Sequence, residues 1–387
     1  MKFGIGQSIK RVEDRELLLG RGRYTDDQLP GEGYAVAFLR SPHAHGVLKY
    51  IDVSEAASAP GVVLAASYQD MAADNVGEIH CQEYVDNQDG SEVPRTTKPA
   101  MISDIVRFAG DIAAMVVAGT REQALDAIEL INTDFEVMNA VCDVYAAMED
   151  GAPQLYKCYP NNIVFDWSSG DLDGARAGIA EAQAAGHRIV EVDVINSRLL
   201  ASALETRPVV AKPDGDKLTL WLPSQGPDPL ARQISKALGM PKDNLRVLTG
   251  HVGGGFGYKI FLHPEQLIIA WAVRRLGRRI RWQQARSDSF VSDLHGRDNR
   301  TKARAVIDKT GKVHALAVTV HANMGSWLSN FSTYIPTLSG SRTLTTNYAI
   351  SVASLRVFGI MTNTPAVDAY RGAGRPEANY VMERLMD

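Results

Sequence analysis

The sequence predicts an α+β protein, and three observations carry that prediction: short apolar runs bounded by glycine, proline and serine, only a few stretches with helical periodicity, and no internal repeat or heptad array. The first runs lie at residues 34–39, 62–65 and 113–118, and they outline a small mixed unit. Behind them, residues 121–131 set Ala124, Leu125, Ile128, Leu130 and Ile131 at helical spacing after a capping Thr120. The turn residues Glu149, Asp150, Gly151, Ala152 and Pro153 then mark a linker. Three parts follow: an extended arm over 1–30, a mixed unit over 31–148, and a strand-richer part over 149–387. In the last part strands are expected at 187–194, 207–211, 217–222, 244–248, 279–283, 302–307, 313–320 and 350–360. Helices are expected at 228–238, 264–276 and 376–386.

With 387 residues, 45% hydrophobic and 22% charged, the chain has a globular composition and room for two or three cores. Its net charge of -4 offers no broad basic field, which argues against nucleic acid as the main partner. The dense basic run Arg274, Arg275, Arg278, Arg279 and Arg281 reads as a solvated surface, with phosphate or an acidic partner as the alternative. The start, from Met1 to Gln7, lacks the apolar run of a signal peptide, and no stretch approaches a membrane span. A cytoplasmic protein with no membrane partner is the expectation. Cys81, Cys142 and Cys158 are widely spaced and read as packed or surface thiols. An iron–sulfur cluster, which takes four thiolates, would have to sit on another chain.

Two glycine-rich stretches stand out. Gly253-Gly254-Gly255-Phe256-Gly257 follows a strand-like run, and Ala369-Tyr370-Arg371-Gly372-Ala373-Gly374-Arg375-Pro376 precedes the last helix. Backbone with so few side chains can approach a bulky polar ligand closely. The first stretch matches neither phosphate-binding template: Tyr258 stands where a dinucleotide loop needs its third glycine, and Lys259 is followed by Ile260 rather than serine or threonine. A tight bulged turn is the plain alternative. Arg371 between the glycines can donate to an anionic oxygen or can serve a surface ion pair. Gln225, in Pro223-Ser224-Gln225-Gly226-Pro227, offers a neutral amide donor or is simply solvated.

Taken in order, these residues resemble the molybdenum-binding large subunit of the xanthine dehydrogenase and aldehyde oxidase family. Residues 20–27 (GRGRYTDD), 40–45 (RSPHAH) and 60–62 (PGV) are similar to the family's N-terminal α/β hammerhead domain. Glu205-Thr206-Arg207-Pro208, Ser224-Gln225, residues 252–256 and residues 369–377 resemble landmarks of its mixed α+β molybdopterin-binding domain, of which this chain holds the first part. The resemblance implies a molybdenum-dependent hydroxylase or dehydrogenase that adds water-derived oxygen to an aldehyde or N-heterocycle. It implies a molybdenum–pterin cofactor in the cytosine dinucleotide form, with iron–sulfur clusters and FAD on partner subunits. Gln225, Phe256 and Arg371 would form the molybdenum environment, the last two through backbone amides, and Gly254, Gly255, Gly257 and Gly372 would admit the cofactor.

Departures from the family pattern bear on substrate and catalysis. Ile260 stands where xanthine-using members have a glutamate, and Ala373 stands where they have a stacking phenylalanine; both are expected to line the substrate pocket. Gly372 occupies the place of the cysteine of carbon monoxide-oxidising members. Purine and carbon monoxide are therefore not expected as substrates. The family's general-base glutamate belongs to a part of the subunit beyond this chain, so no catalytic residue is assigned here. Glu205 is expected to pair with Arg207, Glu265 to favour a helix start, and Glu377 and Glu383 to ride the last helix. Another polypeptide is expected to complete the site, and the chain is expected to be inactive alone. The alternative is a non-catalytic, partner-binding half or a truncated fragment, with exposed apolar surface at Tyr380, Val381 and Leu385.

Overall fold

The computed structural model describes residues 4–31 and 33–387. Residues 1–3 of the expected arm, and Glu32 of the unit after it, lie outside the described residues. Within the arm a short helix, Asp14–Leu18, forms, and a 3-10 turn at Thr25–Asp27 is closed by the Asp27 carboxylate accepting the Tyr24 N–H at 2.9 Å.

Two sheets organise the chain. The larger has seven strands in the order Leu245–Leu248, Lys217–Trp221, Val209–Asp214, Ile280–Trp282, Tyr34–Arg40, Ile112–Ala118, Val62–Ser67. Its middle joins sequence-distant parts, because Tyr34–Arg40 runs parallel to Ile280–Trp282 with Tyr34 opposite Ile280. Ile112–Ala118 is buried along its whole length, as its unbroken apolar run requires. Helix Pro264–Leu276 is buried through Val273 and ends at a left-handed Gly277, and it packs into the same core as Leu220, Val209 and Met115.

The second sheet has five strands in the order Arg188–Asn196, Asn299–Ile307, Val313–Gly325, Val352–Met361, Ile163–Gly170. Adjacent residues on a strand point to opposite faces. Val306 and Ala315 meet Ile179 and Ala182 of helix Leu172–Ala184, while Ala305, Leu316, Val318 and Val357 share a core with Ala378, Val381, Met382 and Leu385 of helix Arg375–Met386. The helix Arg375–Met386 therefore has its own cover. Of the residues expected to be exposed there, Val381 and Leu385 are each 2% exposed, and only Tyr380 reaches solvent. The expectation of a bare apolar stripe is corrected: the five-stranded sheet covers it.

Two further expectations are revised by geometry. Arg207 does not pair with Glu205. Its guanidinium is fully buried, with Nε 2.6 Å from Asp293 and Nη1 3.0 Å from Glu265, and Arg40 takes the other Glu265 oxygen at 2.8 Å. Burial pushes the Glu265 carboxyl up, but Arg207 and Arg40 outweigh it and hold the group well below the usual carboxylate range. Glu265 does stand in the first turn of its helix, yet its carboxylate is spent on these cations rather than on the helix end. The basic run is also more than a solvated face: Arg274 donates to Leu238 O at 2.6 Å, Arg275 pairs with Asp74 at 2.8 Å, and Arg281 donates to Asp26 O and Gln28 O at 3.0 and 2.9 Å.

Candidate functional site

The first glycine stretch leaves strand Leu245–Leu248 and ends at the 3-10 turn Tyr258–Ile260. Its anchor is Glu205. One carboxylate oxygen accepts the Gly253 N–H at 2.8 Å, and the buried Lys259 ammonium lies 3.3 Å from that oxygen while donating to Glu205 O at 2.7 Å. Burial pushes the Lys259 ammonium down to about 8, opposed by the Glu205 charge. The loop's far end is held from a third segment. Gln225, between strand Lys217–Trp221 and helix Pro227–Ala237, accepts the Gly257 N–H on Oε1 at 2.8 Å, and its own N–H reaches Lys259 O at 3.1 Å.

The second stretch closes on the first. Arg371 N–H donates to Phe256 O at 2.8 Å, and the Arg371 guanidinium carbon lies 5.9 Å from the centre of the Phe256 ring. Gly257 has φ +106°, and a Cβ there would stand 2.6 Å from Ala369 O, so only glycine lets the stretches approach this closely. Gly255 and Gly254 are filled from within the chain: an added Cβ would meet the Gln225 carboxamide at 2.5 Å in one case and the Phe256 ring at 2.8 Å in the other. At Gly372 it would meet Pro376 at 2.5 Å. Gln225, Phe256, Arg371 and Gly372 are exposed side by side on this ridge. Ile260 leans on the main core, whereas Ala373 donates to Tyr370 O at 2.8 Å and accepts from Ser339 Oγ at 2.6 Å.

One expectation changes here. The Arg371 amide is engaged by Phe256 O, so it ties the two stretches together instead of pointing at a ligand. With Gln225 Oε1 occupied by Gly257, the donor end of its carboxamide remains for a group outside the loop. The ridge therefore presents an exposed amide donor, a guanidinium and an aromatic edge. That donor set fits an anionic, oxygen-bearing cofactor. Among the described residues no cluster of three or more histidines, cysteines and carboxylates has the arrangement of a metal site. Cys81 is buried, with its thiol donating to Glu83 O at 2.9 Å and pushed up to about 12 by burial, and Cys142 and Cys158 are exposed.

Sequence reasoning missed three supports. Lys259 entered only as a failed template position, Arg297 carried no motif, and Asp368, one residue before the second stretch, was not singled out. Asp368 is buried, accepts from Phe331 N at 2.9 Å and Ala369 N at 2.7 Å, and its carboxyl is pushed up to about 7 by burial.

Two glycine stretches bonded to each other and to a glutamine, beneath a sheet that carries an N-terminal hammerhead unit, define a class, and the chain belongs to the molybdenum-binding large subunits of the xanthine dehydrogenase and aldehyde oxidase family. The molybdopterin cofactor-binding domain matches residues 155–387, and the aldehyde oxidase and xanthine dehydrogenase a/b hammerhead domain matches residues 19–139. Among relatives, the chain is 31% identical to the carbon monoxide dehydrogenase large chain of Afipia carboxidovorans, covering 99% of this chain and 48% of that one. It is 27% identical to the nicotine 6-hydroxylase large subunit of Paenarthrobacter nicotinovorans, covering 99% and 46%. The quinoline 2-oxidoreductase of Pseudomonas putida 86 superposes with a TM-score of 0.88 at 29% identity, over 99% of this chain and 49% of that one. The chain thus spans about half the length of these relatives. Among the described residues no helix is long and apolar enough to cross a membrane.

Proposed function

We propose that this chain forms one wall of the molybdenum–pterin site of an oxidoreductase that hydroxylates or dehydrogenates an aldehyde or N-heterocycle, with the opposite wall and the general base supplied by another polypeptide. The observation that carries this reading is the 2.8 Å bond from Arg371 N–H to Phe256 O beside the 2.8 Å bond from Gly257 N–H to Gln225. Three distant segments converge there on one exposed ridge. Support for an N-heterocycle comes from relatives named for nicotine and quinoline. On this reading residues 1–30 are an arm, 31–148 the hammerhead unit and 149–387 the first part of the cofactor domain.

When bound, the cofactor supplies a Lewis-acidic, redox-active metal. The chain's own part is to bind and orient. Gln225 would donate its free amide hydrogens toward an oxygen of the bound group, Phe256 would set the edge beside it, and Gly254, Gly255, Gly257 and Gly372 let Phe256, Gln225, Ala369 and Pro376 pack close enough to build the ridge that faces the cofactor. Arg371 presents its guanidinium, its amide being spent on the loop. Ile260 and Ala373 would present neither a carboxylate nor an aromatic clamp to the substrate. The cofactor would be the cytosine dinucleotide form, iron–sulfur and FAD subunits would be the partners, and the assembly would work in the cytoplasm.

Isolating the chain together with its completing polypeptide and measuring molybdenum tests this. About one metal per chain is expected, and an intact, folded assembly devoid of molybdenum would overturn the reading. In that assembly Gln225→Ala is expected to lower turnover by about 10²-fold, the scale of losing one preorganised donor, at an unchanged melting temperature. Wild-type turnover in this variant would remove Gln225 from the site.

A further inference from the structure

The bond that joins the two glycine stretches belongs to the peptide between Tyr370 and Arg371, whose N–H faces Phe256 O. The carbonyl of the same peptide, Tyr370 O, accepts from Arg297 Nη1 at 2.9 Å. Because a trans peptide is planar with its N–H and C=O pointing in opposite directions, fixing the carbonyl fixes the direction of the amide. Arg297 makes two further contacts: Nη2 donates to Arg371 O at 2.8 Å, and Nη1 also reaches the Glu377 carboxylate at 3.0 Å. Its guanidinium stacks over the Tyr370 ring, 5.0 Å from the centroid. The Arg297 and Glu377 side chains are only 8% and 9% exposed.

The backbone around Arg297 is itself unusual. Arg297 and Asp298 have φ values of +68° and +66°, two consecutive non-glycine residues in the left-handed region. Such residues persist only where the surroundings impose them. Here Asp298 accepts from Arg198 Nε at 2.7 Å and Asn323 Nδ2 at 2.9 Å, and Asn323 N–H donates to Asp298 O at 3.1 Å. On the other side Gly296 lies so close to Tyr370 that a Cβ would stand 2.3 Å from that residue's own Cβ. Bonds from His295 N to Ala366 O and from Asp368 N to His295 O, both 2.9 Å, run this segment alongside the start of the second stretch.

We propose that Arg297 is the positioning residue of the site: its fork locks the Tyr370–Arg371 peptide so that the Arg371 amide holds the first glycine stretch against the second. The proposal rests on the reading of the ridge as a cofactor wall, but its geometry does not. Arginine is required because a planar fork can meet two carbonyls and a carboxylate together, whereas an ammonium is a single point charge.

Amide hydrogen exchange on the molybdenum-bearing assembly, together with its metal content, tests this in Arg297→Met and Arg297→Lys. In Arg297→Met, exchange at Arg371 and Gly257 is expected to rise by about tenfold or more, the scale of a lost hydrogen bond, while Val357 and Met382 keep wild-type rates. Molybdenum content is expected to fall with the lost protection. Arg297→Lys retains a cation for Glu377 and is expected to fold even if the methionine variant does not, with partial protection and partial metal. Wild-type exchange at Arg371 in either variant, or an equal rise at every amide, would overturn the positioning role. A wild-type assembly without metal whose variants still lose protection at Arg371 would defeat the cofactor reading and leave the positioning role standing.

Discussion

The two glycine stretches meet at one ridge but are held by opposite means. The first is anchored from inside by a carboxylate and an ammonium, Glu205 and Lys259, with Gln225 closing its far end. The second is anchored by a guanidinium fork that also pairs with Glu377, and its own buried acid, Asp368, accepts from the Phe331 and Ala369 backbone N–H groups, with no salt bridge to it among the described residues. The first loop thus depends on a charge pair at its own anchor, whereas the second adds two directed carbonyl bonds to the Arg297–Glu377 pair. Removing a partner from a buried charge pair leaves an uncompensated ion, and the Lys259 ammonium, 0% exposed, is a more deeply buried ion than Arg297 or Glu377, at 8% and 9%.

Glu205→Gln breaks the comparison most severely. It keeps an acceptor for Gly253 but leaves the Lys259 ammonium buried without its counter-charge, and a loss of about 3 kcal/mol in urea denaturation is expected at pH 7. The deficit should shrink above about pH 8, where Lys259 sheds its proton. A variant as stable as wild type would mean that the pair contributes nothing. Gly257→Ala strikes the joint between the loops: a left-handed φ and a Cβ 2.6 Å from Ala369 O should cost about 2 kcal/mol and loosen both stretches. An unchanged melting temperature would show that the approach is not as close as described.

The mildest change sharpens the second loop's side of the comparison. The Asp368 carboxyl titrates higher in the fold than when unfolded, so the native state carries the extra proton between about pH 4 and about 7. Its contribution to stability therefore declines as pH rises through that window. Asp368→Asn should erase this decline while costing about 1 kcal/mol at pH 5, where one backbone N–H then faces an amide group. Denaturation curves at pH 5 and pH 8 that keep the wild-type difference would contradict it.

Much of the architecture was legible in the sequence, for identifiable reasons. The runs at 34–39 and 113–118 are strands because their apolar stretches are short and stopped by turn residues, and helix Pro264–Leu276 is marked by its proline start and Gly277 stop. Strand Ile163–Gly170 and helix Leu172–Ala184 were missed. The strand mixes Asp166 and a terminal Ser168-Ser169-Gly170 with its apolar residues, and the helix is built largely of alanine and glycine, so neither shows a strong period. At the site, the glycine-rich stretches pointed to the two loops, and the amide donor in the Pro223–Pro227 turn together with the family resemblance pointed to Gln225. It could not reveal Arg297 or Asp368, whose roles come from residues 73 to 80 positions away in one case and from burial in the other. The Glu205–Arg207 pairing failed because each group has other buried partners from distant segments: Asp293 and Glu265 take the Arg207 guanidinium, and Lys259 and the Gly253 N–H take the Glu205 carboxylate.

The seven-stranded sheet carries one more implication. Its central seam sets Tyr34 and Ala35 beside Ile280 and Arg281, and a single core runs beneath both parts from Val36 to Trp282. A scission after residue 148 would strip each fragment of a neighbouring strand and open a wet gap through that core. The two parts are therefore not interchangeable cassettes: exchanging either one would cut the sheet and the core that they share.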